Sequence, residues 1–151
     1  MPAENVKRVL VVDDDHDVRT ILGTVLRRKG LEVTVAVDGQ QALALLNERR
    51  FSVLILDLLM PEADGFDVLD ALHRSDPKTL PVVLVLTGAE RQIVERLDPD
   101  RIHGIVRKPF DPEELASLVL ACAEIRARGP FEAMVIATML AGAPFIAWLS
   151  R

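Results

Sequence analysis

Five side chains that could carry phosphate chemistry lie at or just after the ends of apolar runs in the sequence. They are two neighbouring aspartates, a third aspartate, a threonine and a lysine: Asp13, Asp14, Asp57, Thr87 and Lys108. Three carboxylates brought together in a partly dry cleft repel each other strongly. A hard divalent cation relieves this repulsion, and Mg²⁺ suits because carboxylates, waters and phosphate oxygens complete its coordination shell. The pattern therefore predicts a magnesium site.

The lysine and the threonine add what a phosphoryl group needs during its transfer. Lys108 would bring an ammonium to the phosphoryl oxygens, and Thr87 would bring a hydroxyl donor. A carboxylate nucleophile in that setting forms an acyl phosphate. Taken singly, each residue has an ordinary explanation, because such residues are usually helix caps, turns or loops. Their joint placement at successive strand ends favours the phosphoryl site.

Short apolar runs alternate with amphipathic stretches, and these elements would position the five side chains. The runs predict strands at residues 9–12, 31–37, 53–56, 82–86 and 102–106. Helical spacing of apolar residues predicts helices at residues 18–26, 42–46, 66–72, 90–97 and 115–125. Strands that are apolar throughout are buried on both faces. We therefore predict an α/β fold, a doubly wound five-stranded parallel sheet whose strand ends line one ligand-binding edge.

The composition is that of one domain of ordinary size. The 151 residues are 50% hydrophobic and 4% aromatic, so we expect an aliphatic core. The formal net charge of −5 argues against a nucleic-acid binder, which would show a basic face. The single cysteine, Cys122, cannot form an internal disulfide and is expected to be a buried structural thiol. No signal peptide opens the chain, so we predict a cytoplasmic location.

Four stretches of the sequence carry a family resemblance. They are Val9 to Asp14, Asp57 to Pro61 with Asp64-Gly65, Thr87-Gly88, and Lys108-Pro109-Phe110. In this order and spacing they resemble the receiver domain of response regulators in two-component signalling. The resemblance covers residues 1–128 and implies a flavodoxin-like fold of five βα units with strand order 2-1-3-4-5. No output region for DNA binding or catalysis follows, so we expect a stand-alone receiver.

The resemblance also implies a role for each residue of the site. Asp57 would be the phosphorylated residue. Mg²⁺ would be held by three carboxylates and one backbone carbonyl, those of Asp13, Asp14, Asp57 and Leu59. The residues that bind the phosphoryl group and switch with it would be Thr87, Gly88, Lys108 and Pro109, the last through a cis peptide bond.

Two features depart from the family pattern. The family often has an aromatic residue three positions before the lysine, where this sequence has Ile105, so we expect a packed or interface residue and a different coupling to output. The apolar Leu59 and Ala89 stand where the family flanks the route of attacking water. We therefore hypothesise that the phosphorylated form decays slowly. Elsewhere, Asp15 is expected to cap a helix and His103 to be structural.

An apolar extension forms the second predicted unit, at residues 129–151. Gly129-Pro130 separates it from the fifth predicted helix, and residues 133–149 carry no charge. Seventeen residues is the lower limit for a membrane-spanning helix, and Gly142 and Pro144 interrupt the helical pattern. We expect an extra helical segment that packs on the domain or on a second copy, with a membrane anchor as the alternative.

The sequence thus predicts a protein that relays a phosphoryl signal through protein contacts. The donor would be a histidine kinase or a phosphotransfer protein, and the output protein is unknown. The protein would be no enzyme beyond its own phosphorylation and dephosphorylation. Two alternatives stay open: a degenerate receiver acting as a docking module, and a phosphatase with an aspartyl-phosphate intermediate. Such phosphatases usually have a second aspartate two residues after the nucleophile, where this chain has Leu59.

Overall fold

Five parallel strands form a sheet in the computed structural model, which describes residues 7–61, 64–88 and 90–126. The strands are β1 (Arg8–Val12), β2 (Glu32–Ala36), β3 (Val53–Leu56), β4 (Val82–Thr87) and β5 (Gly104–Arg107). Their order across the sheet is β2-β1-β3-β4-β5, and all four pairings are parallel. The predicted fold class and strand order are confirmed.

Within the described residues, α-helices connect successive strands and follow the last one. They are α1 (His16–Arg28), α2 (Gly39–Glu48), α3 (Gly65–His73), α4 (Arg91–Val94) and α5 (Pro112–Arg126). Short 3₁₀ turns, Pro77–Thr79 and Pro99–Arg101, precede β4 and β5. The side chains of Asp15, Asp38 and Asp64 each accept a hydrogen bond from a backbone N–H of the helix that follows. The cap predicted at Asp15 is confirmed.

The core consists of two layers, one on each face of the sheet. α1 and α5 cover one face, and α2, α3 and α4 cover the other. Every residue of β3 and β4 is buried because helices cover both faces of these strands. Cys122 lies in the first layer, and burial raises the pKa of its thiol to about 11. The thiol therefore stays protonated, as expected for a structural cysteine.

α4 is shorter than the helix predicted at residues 90–97. It makes one turn, Arg91–Val94, and Glu90 at its start makes no side-chain capping bond. Pro99 disfavours the helical region for the residue before it, and Asp98 is extended there with φ −81° and ψ 116°. The N–H groups of Arg96 and Leu97 already donate to the carbonyls three residues before them, so α-helical bonding ends ahead of the residue that Pro99 restricts.

Two arginines hold the connection between β4 and β5 against α3. The guanidinium of Arg96 lies 4.7 Å from the centre of the Phe66 ring. Arg101 Nη1 donates a hydrogen bond of 2.6 Å to Asp70 Oδ1. These contacts tie the β4–β5 connection to α3.

His103 joins the beginning of β5 to β4. Its backbone N–H donates to Val83 O at 2.8 Å, and its Nδ1 accepts a hydrogen bond from Val83 N–H at 2.9 Å. Nδ1 of the ring accepts a hydrogen bond that a backbone carbonyl oxygen usually accepts between two strands, so Nδ1 must be unprotonated. Burial, and then the charge of Arg126, lower the pKa of His103 and favour that state. The structural role predicted for His103 is confirmed.

The last described element, α5, ends beside the loop that precedes β4. Nε and Nη2 of Arg126 donate hydrogen bonds to the carbonyl oxygens of Leu80 and Lys78, at 2.8 and 2.7 Å. The predicted unit boundary at residue 128 and the apolar extension, residues 129–151, lie outside the described residues. Within the described part of the chain, no helix is long and apolar enough to cross a membrane.

Candidate functional site

Three of the predicted site residues extend the strand ladders by one residue. Asp57 N–H donates to Val12 O at 2.9 Å. Asp13 N–H donates to the last carbonyl of β2 at 3.2 Å, and Lys108 N–H donates to Thr87 O at 3.0 Å. These bonds fix where each backbone leaves the sheet. Since the carboxyl ends of parallel strands meet at one edge, the side chains are brought to the same place.

The side chains form a small acidic cluster that contains one lysine. Carboxylate oxygens of Asp13, Asp14 and Asp57 lie within 4.8 Å of one another. Lys108 Nζ lies 2.7 Å from Asp13 Oδ2 and 3.5 Å from Asp57 Oδ2. Asp13 and Asp57 are only 1% and 6% exposed, whereas Asp14 is exposed. The cluster is therefore closed toward the sheet and open to solvent at Asp14.

Burial and charge shift the ionisation of this cluster. Desolvation, followed by the charge of Asp13, raises the pKa of Asp57 from 3.8 to about 6. Lys108 and the Leu59 N–H, which donates to Asp57 Oδ1 at 3.3 Å, oppose that shift. Burial alone would lower the pKa of Lys108, but its hydrogen bond to Asp13 and the two carboxylate charges outweigh burial and raise it. One ammonium thus compensates the carboxylates only in part.

The donor set fits a small, hard cation. Opposite oxygens around Mg²⁺ are about 4.2 Å apart, because each bond is about 2.1 Å long. The three carboxylate oxygens already lie within 4.8 Å of one another. The exposed side of Asp14 leaves room for the waters that Mg²⁺ retains. A divalent cation together with Lys108 would balance the charge of the three carboxylates. The carbonyl of Leu59 stays a predicted ligand.

Asp13 is held on both its side chain and its backbone. Its Oδ1 accepts a hydrogen bond from Asp15 N–H at 2.9 Å, and its carbonyl oxygen accepts one from Arg19 Nη1 at 2.7 Å. Arg19 belongs to α1, so the helix that follows β1 also orients the end of β1. We did not predict Arg19 from the sequence, because one arginine in an amphipathic helix forms no distinctive pattern.

Gly65 brings the start of α3 into contact with the loop that carries Asp57. A Cβ at this position would lie 2.7 Å from Leu58 Cα and would overlap the carbonyl oxygen of Asp57. The Gly65 N–H also donates to Leu58 O at 2.9 Å. Any larger residue would push the loop and α3 apart. The sequence indicated a turn at Asp64-Gly65 but not this close approach.

The remaining phosphoryl-binding candidates surround the lysine. Thr87 is the last residue of β4 and is fully buried. A Cβ at Gly88 would meet Lys108 Cβ at 3.9 Å, an ordinary contact, so a small side chain has room there. The Lys108-Pro109 peptide bond is cis, as the resemblance implied.

The apolar residues that depart from the family pattern have different surroundings. Ile105 is 4% exposed and packs in the layer formed by α2, α3 and α4. Leu59 is 48% exposed beside Asp57. Ala89 lies outside the described residues. Ile105 is therefore a core residue, whereas the side chain of Leu59 is in contact with solvent next to the acidic cluster.

Comparison with known proteins identifies the family. The response regulator receiver domain family matches residues 9–120. The chain therefore belongs to the response regulator receiver domain family of two-component signalling. Receiver domains of this family interact with histidine kinases or phosphotransfer proteins and with output domains. The resemblance found in the sequence motifs is confirmed.

Several relatives and solved structures are similar over most of this chain. An uncharacterised 14.6 kDa protein of Leptolyngbya boryana is 37% identical over 113 residues, covering 74% of this chain and 86% of that protein. The transcriptional regulatory protein SrrA of Staphylococcus aureus is 35% identical over 113 residues, covering 75% of this chain and 46% of its own length. The probable transcriptional regulator ycf27 of Cyanophora paradoxa is 33% identical over 122 residues, covering 76% and 47%. The chain spans about half the length of these two regulators.

Two receiver structures have the same fold as this chain. The receiver domain of the Francisella response regulator 1452 has a TM-score of 0.68 and 30% identity, covering 78% of this chain and 97% of that chain. The response regulator TrrA of Thermotoga maritima, solved in complex with Mg²⁺-BeF, has a TM-score of 0.67 and 28% identity, covering 77% and 98%.

Replacing Gly65 by alanine should destabilise the protein and displace Asp57. The new Cβ would collide with backbone atoms of the loop, and overpacking of this kind costs about 1–3 kcal/mol. The free energy of unfolding in urea measures the loss. Gly23→Ala is the matched control: its Cβ meets the flexible end of Arg27, and a helix gains roughly 0.5–1 kcal/mol from the substitution. Equal changes in the free energy of unfolding for the two variants would contradict the proposed collision at position 65.

Asp57→Asn should stabilise the metal-free protein at neutral pH. Above about pH 6 the folded wild type holds a carboxylate whose charged form it disfavours, and the amide removes this cost, on the order of 1–3 kcal/mol. Between pH 3.8 and about 6, the folded state binds a proton that the unfolded state has lost, so wild-type stability decreases as pH rises.

Urea unfolding in the presence of a chelator, compared between the two proteins at several pH values, checks this prediction. The advantage of Asp57→Asn should shrink as the pH falls through about 6 toward 3.8. Asp100→Asn, at an exposed aspartate of the 3₁₀ turn before β5, is the control variant. A stability advantage of Asp57→Asn over the wild type that increased on acidification would contradict the prediction.

Proposed function

We propose that Asp57 accepts a phosphoryl group from a phosphohistidine of a histidine kinase or a phosphotransfer protein. The carrying observation is the convergence of two buried aspartates and a lysine at one sheet edge, with Lys108 Nζ at 2.7 Å from Asp13 and 3.5 Å from Asp57. Family membership supports this role. The solved relative TrrA, with Mg²⁺-BeF bound, supports the choice of cation. Residues 1–128 would form the receiver unit.

Asp57 would act as the nucleophile. One of its carboxylate oxygens attacks phosphorus, and the O–P bond forms as the N–P bond to the donor histidine breaks. The electron pair of the broken bond returns to the imidazole nitrogen, which solvent then protonates. The product is an acyl phosphate on Asp57. Transfer needs ionised Asp57, and the positive charge of Lys108 favours that form.

The surrounding residues would stabilise the transferring group. Mg²⁺ would be held by Asp13, Asp14, Asp57 and the carbonyl of Leu59. When bound, the cation supplies positive charge to the phosphoryl oxygens. The ammonium of Lys108 would pass from the carboxylates to one phosphoryl oxygen, and the hydroxyl of Thr87 would donate to another. Gly88 would leave room beside the group, and Pro109 would direct the lysine.

Phosphorylation would change which surface binds an output protein. New contacts of Lys108 and Thr87 with the phosphoryl group would bias a two-state equilibrium of the surface around α4, β5 and α5. Ile105 has no ring to rotate and is buried in the core, so the change would pass through the end of β4 and the short α4. The protein would work in the cytoplasm and catalyse only its own phosphorylation and dephosphorylation.

Incubation with a small phosphodonor and Mg²⁺ should add one phosphoryl group, observed by intact-mass spectrometry. Asp57→Asn should abolish the label, because an amide is no nucleophile for this reaction. Asp100→Asn, on the 3₁₀ turn before β5, should be labelled like the wild type. Labelling should also be lost with a chelator. Retained labelling of Asp57→Asn, or turnover of phosphoester substrates by the wild type, would rule out the proposal.

Replacing Leu59 by asparagine should shorten the life of the phosphorylated state several-fold. The side chain is 48% exposed next to Asp57, and an apolar group there holds no attacking water in place. An amide could orient such a water toward the acyl phosphate. The decay of the label after removal of the phosphodonor measures the rate. Ile21→Asn, at an apolar residue of α1 that is 45% exposed, is the control. Fast, Mg²⁺-dependent decay in the wild type would contradict the prediction.

A further inference from the structure

A groove runs along the edge of the sheet that lies opposite the acidic cluster. Two adjoining cavities of about 650 Å³ and about 360 Å³ form it. Both are lined by Leu72, Ser75, Leu80 and Pro81, so they are continuous. We call this surface the basal groove; it extends from Leu46 at the end of α2, past the end of α3 and the start of β4, to Arg126 at the end of α5.

Partly exposed leucines lie among the polar residues that line the groove. Leu43 and Leu46 of α2 and Leu80 before β4 are half-buried, and they pack on the core layer of α2 and α3. Leu72 lies between them and is 9% exposed. Contact with another apolar surface would remove the remaining exposed area from water, which is favourable. These leucines therefore offer an apolar polypeptide a contact within the groove.

The end of α5 lies at the rim of the groove, and an uncharged stretch follows it in the sequence. Arg126 lines the second cavity, and its bonds to the carbonyls of Leu80 and Lys78 hold the end of α5 at the rim. Residues 127–132 then lead to residues 133–149, which contain no charged side chain. A connection of six residues reaches about 20 Å when extended, enough to cross the rim. Tethering gives an effective concentration in about the millimolar range.

We propose that residues 133–149 occupy the basal groove of the same molecule. An uncharged stretch of this size would otherwise expose a large apolar surface to water. The tether favours the groove of the same chain over that of a second copy at low protein concentration. Charged residues on the rim, among them Arg49, Arg50 and Asp100, stay hydrated beside a bound polypeptide, whereas a bilayer would have to desolvate them.

Occupation of the basal groove is independent of the phosphoryl chemistry. The acidic cluster lies at the carboxyl ends of the strands, and the groove lies at their amino ends, so both surfaces can be occupied together. The extension would then complete the apolar core and leave Asp57 open to a phosphodonor. The loss of one of these properties in an experiment does not imply the loss of the other.

Trp148 is the single tryptophan of the chain and lies in the proposed segment, so its fluorescence reports directly on the contact. In dilute, monomeric full-length protein, we expect blue-shifted emission that acrylamide quenches weakly. Leu46→Glu places a charge in the groove and should shift the emission to the red with a several-fold larger quenching constant. Ile21→Glu, on the exposed face of α1, should leave the emission maximum and the quenching constant of Trp148 unchanged.

A second measurement does not depend on disrupting the groove. Ser75 and Thr24 are matched sites for cysteine, because each has an exposed hydroxyl that donates to the carbonyl four residues before. The two variants are Ser75→Cys and Thr24→Cys. A nitroxide attached at position 75, in the groove, should quench Trp148 strongly, whereas a nitroxide at position 24, on α1, should not. Cys122 is buried and stays unlabelled in the folded protein.

Three results would overturn the proposal. Emission typical of exposed Trp148 in the wild type, with a blue shift only on adding phospholipid vesicles, would favour a membrane surface. Burial of Trp148 that disappears on dilution would favour a second copy. Equal quenching by the nitroxides at positions 75 and 24 would exclude the basal groove. Labelling of Asp57 by a phosphodonor is measured separately, so a failure here leaves the proposed function standing.

Discussion

Lys108 lies between two buried carboxylates, and the arrangement of the whole functional edge depends on this contact. Its ammonium is 2.7 Å from Asp13 and 3.5 Å from Asp57, yet the pKa of Asp57 is still raised to about 6. One positive charge therefore does not fully compensate two desolvated negative ones. The residues come from the ends of β1, β3 and β5, and the parallel sheet brings these ends to one edge. The two aliphatic layers provide the stability that this cluster of charges reduces.

The helices around the sheet position the cluster as well as covering the core. Arg19 of α1 donates to the carbonyl of Asp13, and Gly65 allows the start of α3 to touch the backbone at Asp57. α3 extends from that contact to the basal groove, and its middle is tied to the β4–β5 connection by the Arg101–Asp70 pair. α3 therefore contacts the loop that carries Asp57 at one end and the β4–β5 connection along its length.

Family membership and the two apolar departures together define what is particular to this receiver. Ile105 is a core residue, so the signal cannot depend on an aromatic ring that moves between buried and exposed positions. Leu59 puts an apolar side chain at the open side of the cluster. These two positions would affect coupling and lifetime, while the residues that form the cluster follow the family pattern.

The sequence by itself determined the sheet, its five strands, the helix cap at Asp15 and the identities of the acidic cluster, because apolar periodicity and strand-end residues are local signals. The fold class and strand order agree with the structure, whereas the helix predicted at residues 90–97 makes one α-helical turn, Arg91–Val94, and continues with hydrogen bonds to the third residue before. Only the tertiary structure decided which atoms Gly65, Arg19 and His103 contact, since each contact is to an atom of another element. It also decided the raised pKa of Asp57, because desolvation and neighbouring charge exist only after the strands have come together.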